Sequence, residues 1–150
     1  MGSGSLLIYL DTSFVVSLYS VDANSAAATV VSQTARLPLL MSSLTEIETV
    51  NALGLREFRK EISELEANGS LRDFEEDLRR GTFLRSALPE SAFQRARTLS
   101  LQSTARLGLR TADLLHIAAA LELGSKAFFT FDLCQRKLCS ELGLKVNSLP

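Results

Sequence analysis

The sequence predicts a single α/β domain in which helices cover a parallel β-sheet, and three observations carry that expectation. Short apolar runs at residues 6–10, 39–41, 126–131 and 144–146 alternate with segments of helical periodicity. The first of these is continuously apolar rather than alternating, as expected of a strand buried on both faces. A length of 150 residues suits one compact domain with a sizeable core.

Each element follows from local chemistry. Residues 6–10, with Ile8 and Tyr9, read as a central strand. Thr12 or Ser13 caps a helix running to about Tyr19. Asn24 or Ser25 starts a second helix, which Pro38 closes off, and residues 39–41 form a second strand. Ser43-Leu44-Thr45-Glu46 fits a capping box. The long helix it opens is expected to end near Asn68-Gly69. Ser70-Leu71-Arg72-Asp73 then opens another, ending near Gly81. Leu53, Phe58, Ile62 and Leu65 give this region an apolar stripe at helical spacing.

Pro89 suits the first turn of a helix reaching about Ala105. Thr111 caps the next helix, whose body at residues 114–121 is apolar almost all round and therefore expected to be buried. Gly124 stops it. Residues 126–131 form a strand, 133–142 a helix and 144–146 a last short strand after Gly143. Met1-Gly2-Ser3-Gly4-Ser5 reads as a flexible leader or tag remnant, which leaves residues 6–150 as the domain.

Composition narrows the functional classes. Hydrophobic residues make up 46% and charged residues 22%, ordinary values for a globular protein, and the apolar runs are too short to span a bilayer. A formal net charge of −1 does not advertise nucleic-acid binding, so a polyanion would have to be held locally or through metal ions. Cys134 and Cys139 lie five residues apart, a poor spacing for one helix face, and only one histidine accompanies them. A structural zinc site is therefore not expected, and reduced thiols in a cytoplasmic protein are.

Four acids stand apart: Asp11, Glu48, Asp113 and Asp132. Residues 54–97 hold nine basic and nine acidic residues and read as a solvated helical surface. Only eight acids lie outside that stretch, and these four are half of them. Asp11 and Asp132 come directly off strand ends, the edge where ligands bind in open α/β sheets. Glu48 and Asp113 lie in the first turns of helices. Singly, each has a bland reading as a helix cap, a dipole-complementing acid or a solvated glutamate. Together they imply a shared acidic edge. Two carboxylates about 4 Å apart repel by roughly 4 kcal/mol at an effective dielectric near 20. A divalent cation with a preference for oxygen ligands reverses the sign of that cost.

These residues resemble the PIN domain, and within it the VapC-type toxin ribonucleases. Tyr9-Leu10-Asp11-Thr12-Ser13 is similar to the family's opening strand and first acid. The segment from Ser43 to Leu53 resembles its second motif, in which the acid precedes an Ala-Leu pair by four residues, and that spacing selects Glu48 over Glu46. Leu109-Arg110-Thr111-Ala112-Asp113 and the buried helix after it are similar to the third motif. Phe129-Thr130-Phe131-Asp132, with the closing Leu142-to-Val146 segment, resembles the fourth.

The resemblance implies a three-layer α/β/α domain with a central parallel sheet. It implies a Mg2+- or Mn2+-dependent endoribonuclease acting as the toxin of a toxin–antitoxin pair. It also implies a homodimer and a cognate antitoxin whose tail enters the active-site groove. Carried over, Asp11, Glu48, Asp113 and Asp132 form the metal site, with Thr12, Ser13 and Thr130 as polar neighbours. His116 recurs in such motifs, but its apolar helix face marks it as a hydrogen-bonded core histidine. Arginines at positions 56, 59, 72, 79, 80 and 85, with Lys60, are available to hold RNA backbone, although ordinary salt pairing accounts for them as well. Val15, Leu18 and the helix from Ala23 are candidates for the dimer face.

Other strand-end aspartate folds fit less well. A haloacid-dehalogenase-like phosphatase needs a second aspartate where Ser13 stands, and a receiver domain needs a lysine at a late strand end, whereas Lys126 starts a strand. A catalytically weak PIN-fold module that binds RNA or protein is the alternative from a different class.

Overall fold

A computed structural model describes residues 7–36 and 38–150. The expected leader at residues 1–5 and the proposed strand start at Leu6 lie outside the described residues. In chain order the elements are β1 (Leu7–Leu10), α1 (Thr12–Tyr19), α2 (Ser25–Thr34), β2 (Leu39–Ser42), α3 (Ser43–Phe58) and α4 (Glu64–Arg79). These are followed by β3 (Leu84–Ser86), α5 (Ser91–Leu107), α6 (Thr111–Glu122), β4 (Ser125–Phe129), α7 (Leu133–Glu141) and β5 (Lys145–Val146).

The five strands form one sheet in the order β3-β2-β1-β4-β5, and every pairing is parallel. The chain thus builds outward from β1 to β3, then returns to lay β4 and β5 on the other side. That reversal between β1 and β4 opens a crevice beyond their carboxyl ends, where α/β sheets bind ligands.

Side-chain alternation along the strands sorts the core into two layers. Tyr9, Leu40 and Phe128 face a cluster that includes Ala92 and Leu99 of α5, Leu114 and Ile117 of α6 and Leu138 of α7. Ile8, Leu10, Met41 and Ala127 face the opposite cluster, with Phe14 of α1, Ala28 of α2 and Phe74 of α4. The expected α/β/α layering is therefore observed. Phe74 is fully buried, and truncating such a side chain to alanine costs about 3–5 kcal/mol.

Several boundaries differ from the sequence expectation. Asp11, not Thr12 or Ser13, caps α1, with extended backbone and a side chain that accepts from the Ser13 amide. β2 runs one residue further than expected, so Ser42 caps α3 through the Thr45 amide. The anticipated box at Ser43 does not form. Ser43 Oγ instead accepts from the Leu88 amide, and Glu46 pairs with Arg85. Thr111 is the first helical residue of α6, and the cap position belongs to Arg110.

The long helix expected through Asn68-Gly69 is two helices. Lys60 adopts φ 60°, a left-handed conformation uncommon outside glycine, and the chain turns there. A true capping box, Ser63 with Glu66, then starts α4, which passes straight through Asn68-Gly69-Ser70. The break also divides the anticipated apolar stripe. Leu53 is buried, but Phe58 and Leu65 are more than 80% exposed, and Ala67 and Phe74 anchor α4 instead. Strand β3 was not expected at all. β4 ends at Phe129, two residues early, which frees the Thr130 amide to bond Asn147 Oδ1 at 2.7 Å. Val15, placed on a candidate dimer face, is fully buried within the chain.

Candidate carboxylate site

Strand β1 delivers Asp11 to the crevice, and adjacent β4 delivers Thr130 to Asp132. Asp11 is 5% exposed yet well supplied with donors. Its Oδ2 accepts from the Ser13 amide at 3.0 Å, from Ser13 Oγ at 2.7 Å and from Thr130 Oγ1 at 3.1 Å. Its Oδ1 accepts from Gln135 Nε2 at 3.1 Å. A buried carboxylate needs such bonds, because a desolvated charge left without them is costly.

Glu48, one turn into α3, turns toward the same edge. Its Oε1 accepts from Thr12 Oγ1 at 2.7 Å and lies in close contact with His116 Nε2. Burial pushes its carboxyl up, but the bonds from His116 and Thr12 outweigh that and hold it below the usual carboxylate range. Asp113 shifts the opposite way. Burial raises it most, and the neighbouring charges of Asp132 and Asp11 add to the rise, against a lowering bond from the Arg110 amide. That amide donates to Asp113 Oδ2 at 3.0 Å. Asp132 caps α7, its Oδ1 accepting from the Gln135 amide at 2.8 Å.

The polar neighbours named from the sequence take distinct places. Ser13 and Thr130 both contact Asp11, Thr12 serves Glu48, and Thr130 Oγ1 also accepts from the Asp132 amide at 3.0 Å. His116 is 1% exposed, so it is a core histidine, yet its ring spans from Tyr9 Oη at Nδ1 (2.8 Å) to Glu48 at Nε2. Asp11 Oδ1 lies 3.7 Å from the same Nε2.

The acids are joined in pairs through these intermediaries. His116 connects Glu48 with Asp11. Gln135 connects Asp11 with α6, its Nε2 also reaching the Asp113 carbonyl oxygen at 3.4 Å. Among the described residues no three His, Cys, Asp or Glu side chains stand close enough to make a complete metal cage.

Gln135, Tyr9 and Asn147 belong to the site and were not anticipated. Gln135 offered one cue, since it follows Asp132 by three residues, the spacing of a capping box. Its carboxamide turns inward instead of closing that box, and it is fully buried.

A sequence model of the PIN domain matches residues 8–140. The chain belongs to the PIN-domain family. Among solved structures, Mycobacterium tuberculosis VapC20, a sarcin-ricin loop cleaving toxin, superposes with a TM-score of 0.69 at 20% identity, covering 95% of this chain and 99% of that one. VapBC2 from Rickettsia felis, bound to a DNA fragment from its promoter, gives 0.64 at 13% identity, covering 97% and 100%. FitAcB from Neisseria gonorrhoeae gives 0.63 at 16% identity, covering 94% and 96%. At such identities the likeness shows a shared fold. No curated protein matches the chain by sequence.

Proposed function

We propose that the chain is a divalent-metal-dependent endoribonuclease acting as the toxin of a toxin–antitoxin pair. Asp113 carries the proposal: its ionised form is disfavoured by burial and by the charges of Asp132 and Asp11 beside it. A fold gains nothing in stability from gathering such acids, whereas a cation with hard oxygen preferences would relieve the repulsion. An all-carboxylate donor set fits Mg2+ or Mn2+, and Mg2+ commonly uses few protein ligands while keeping several waters.

Asp11, Glu48, Asp113 and Asp132 would hold the ion. When bound, it would supply Lewis-acid activation of water and charge stabilisation for hydrolysis of an RNA phosphodiester. The chain's own residues prepare that edge. Ser13, Thr130 and Gln135 hold Asp11 in one orientation, and Thr12 and His116 keep Glu48 ionised.

Support for RNA as substrate and for an antitoxin partner comes from relatives of the same fold, one named as a loop-cleaving toxin and one as a VapBC complex. A homodimer and a cytoplasmic location complete the reading. No helix of the described residues is long and apolar enough to cross a membrane. The second reading, a PIN-fold module that binds RNA or protein with little turnover, is favoured by the lack of a complete cage among the described residues.

Hydrolysis of an RNA panel with Mg2+ or Mn2+ separates them. Wild type should cleave, and Asp11→Asn and Asp113→Asn should not. Equal cleavage by the variants would assign the activity to a contaminant. RNA binding that persists in chelator, without turnover in either metal, would favour the binding module.

A further inference from the structure

His116 is the only histidine of the chain, and it sits inside the core rather than on the crevice wall. A buried imidazole must match each ring nitrogen to the donors and acceptors around it. On the Nε2 side stand two carboxylate oxygens, Glu48 Oε1 in close contact and Asp11 Oδ1 at 3.7 Å. Thr12 Oγ1, 3.3 Å from Nε2, already gives its proton to Glu48. An unprotonated Nε2 would aim a lone pair at these acceptors. Nε2 therefore carries hydrogen.

The Nδ1 side is fixed by a chain of hydroxyls. Ser42 Oγ accepts from the Thr45 amide at 3.4 Å and lies 2.6 Å from Tyr9 Oη, its nearest available acceptor. Thr45 Oγ1 donates to the Leu10 carbonyl oxygen at 3.1 Å, closer than its 3.4 Å approach to Tyr9. With Ser42 donating into Tyr9 Oη, the phenol proton is directed to His116 Nδ1 at 2.8 Å. Every bond then runs in one direction, from the α3 backbone through Ser42, Tyr9 and His116 into Glu48. Ser42, Tyr9 and His116 are each at most 1% exposed, so water cannot readily reverse it.

We infer that Tyr9 and Ser42 lock the His116 ring in the tautomer protonated on Nε2, making His116 the positioning residue that holds Glu48 against Asp11. The arrangement has the logic of outer-shell contacts at metal sites, which orient a ligand without touching the ion. Both protein bonds to the Glu48 carboxylate fall on Oε1. Oε2 is thereby left without a hydrogen bond from the described residues. The role of His116 in catalysis rests on the nuclease reading, whereas its tautomer does not.

A lone histidine makes the experiment direct. In metal-free protein labelled with 15N-histidine, long-range proton–nitrogen correlation should report one imidazole with Nε2 protonated and Nδ1 bare. Tyr9→Phe should give mixed tautomers while the protein stays folded. Mn2+ affinity of His116→Leu should fall about 10- to 100-fold, as for outer-shell changes elsewhere, with His116→Gln losing less because its amide can still donate. RNA hydrolysis should lose kcat in the same order, with KM nearly unchanged. Proton on Nδ1 in the wild type, alone or with Nε2, would overturn the inference, as would unchanged Mn2+ affinity in His116→Leu. If wild type neither binds Mn2+ nor cleaves RNA, the nuclease reading fails, and the tautomer measurement alone decides the role of His116.

Discussion

Gln135 donates from Nε2 to Asp11 Oδ1 at 3.1 Å, tying the third residue of α7 to the first acid of the chain. Its Oε1 accepts from Thr130 Oγ1 at 2.7 Å, so one fully buried carboxamide spans both strand ends. Gln135→Leu keeps the volume and removes both bonds. It leaves Asp11 Oδ1 without its Gln135 donor, while the Thr130 hydroxyl proton keeps Asp11 Oδ2 as an acceptor. Urea unfolding should show a loss of about 1–3 kcal/mol, the cost of buried groups left unpaired. RNA hydrolysis should fall about 10- to 100-fold.

Asp113→Asn should trade function for stability. The folded-state carboxyl of Asp113 is raised by burial first and by Asp132 and Asp11 next. A raised carboxyl costs stability progressively as pH rises from its unfolded value through its folded one, because the native state holds the charge less readily than the unfolded chain. The amide variant removes that charge and retains an acceptor for the Arg110 amide. Melting at neutral pH without metal should show a gain on the order of 1 kcal/mol, alongside lost hydrolysis. A lower Tm for the variant would contradict it.

Divalent metal should stabilise the wild type by linkage. An ion that binds only the folded state contributes about 2.7 kcal/mol at a hundredfold excess over its Kd. Thermal melts with Mn2+ should therefore shift upward by several degrees, and the shift should vanish in Asp11→Asn.

Asp22 and Arg56 should govern acid sensitivity. Their ion pair closes at 2.9 Å with both side chains about one-fifth exposed. Burial pushes the Asp22 carboxyl up, but the bonds from Arg56, the Asn24 amide and Ser17 hold it lower than usual. With a depressed folded value, its stabilisation is present above the unfolded value near pH 4 and is lost as pH falls through the folded one. Asp22→Ala should cost about 1–2 kcal/mol at pH 7. In urea titrations the gap from wild type should close as pH drops below about 4.

The two thiols should differ in reactivity. Cys139 is fully buried, and burial pushes its thiol up to about 12, while Cys134 is partly exposed. Because the thiolate is the reactive form, a thiol reagent at neutral pH should label Cys134 alone in native protein and both cysteines in denaturant. Labelling of Cys139 in the native state would show that α7 opens.

Most of the sheet was legible because its strands depend on patterns that local chemistry enforces. Apolar runs at β1 and β4 identify buried strands; Asp11 follows β1 directly, and Asp132 comes three residues after β4 ends. Caps were harder, since Thr12, Ser13, Ser42 and Ser43 all suit the position and only the strand's true end selects one. β3 escaped notice because Leu84-Arg85-Ser86 is a three-residue edge strand inside a charged segment, and its outer side needs no apolar pattern. The break at Lys60 carries neither glycine nor proline. Gln135 and Tyr9 were out of reach for another reason. Their polar ends are aimed by tertiary packing, which spacing along one element does not encode.

The central place of β1 also sets when the crevice can exist. β1 emerges first during synthesis, yet its partner β4 and the Thr130 hydroxyl that meets Asp11 lie 119 residues later. Parallel pairing across such a separation forms late, and domains fold only as their distant segments become available. A ribosome-bound chain that stops before β4 has one acid edge and no opposing one. The two halves of the carboxylate edge therefore stay apart until β4 has been made and has paired with β1.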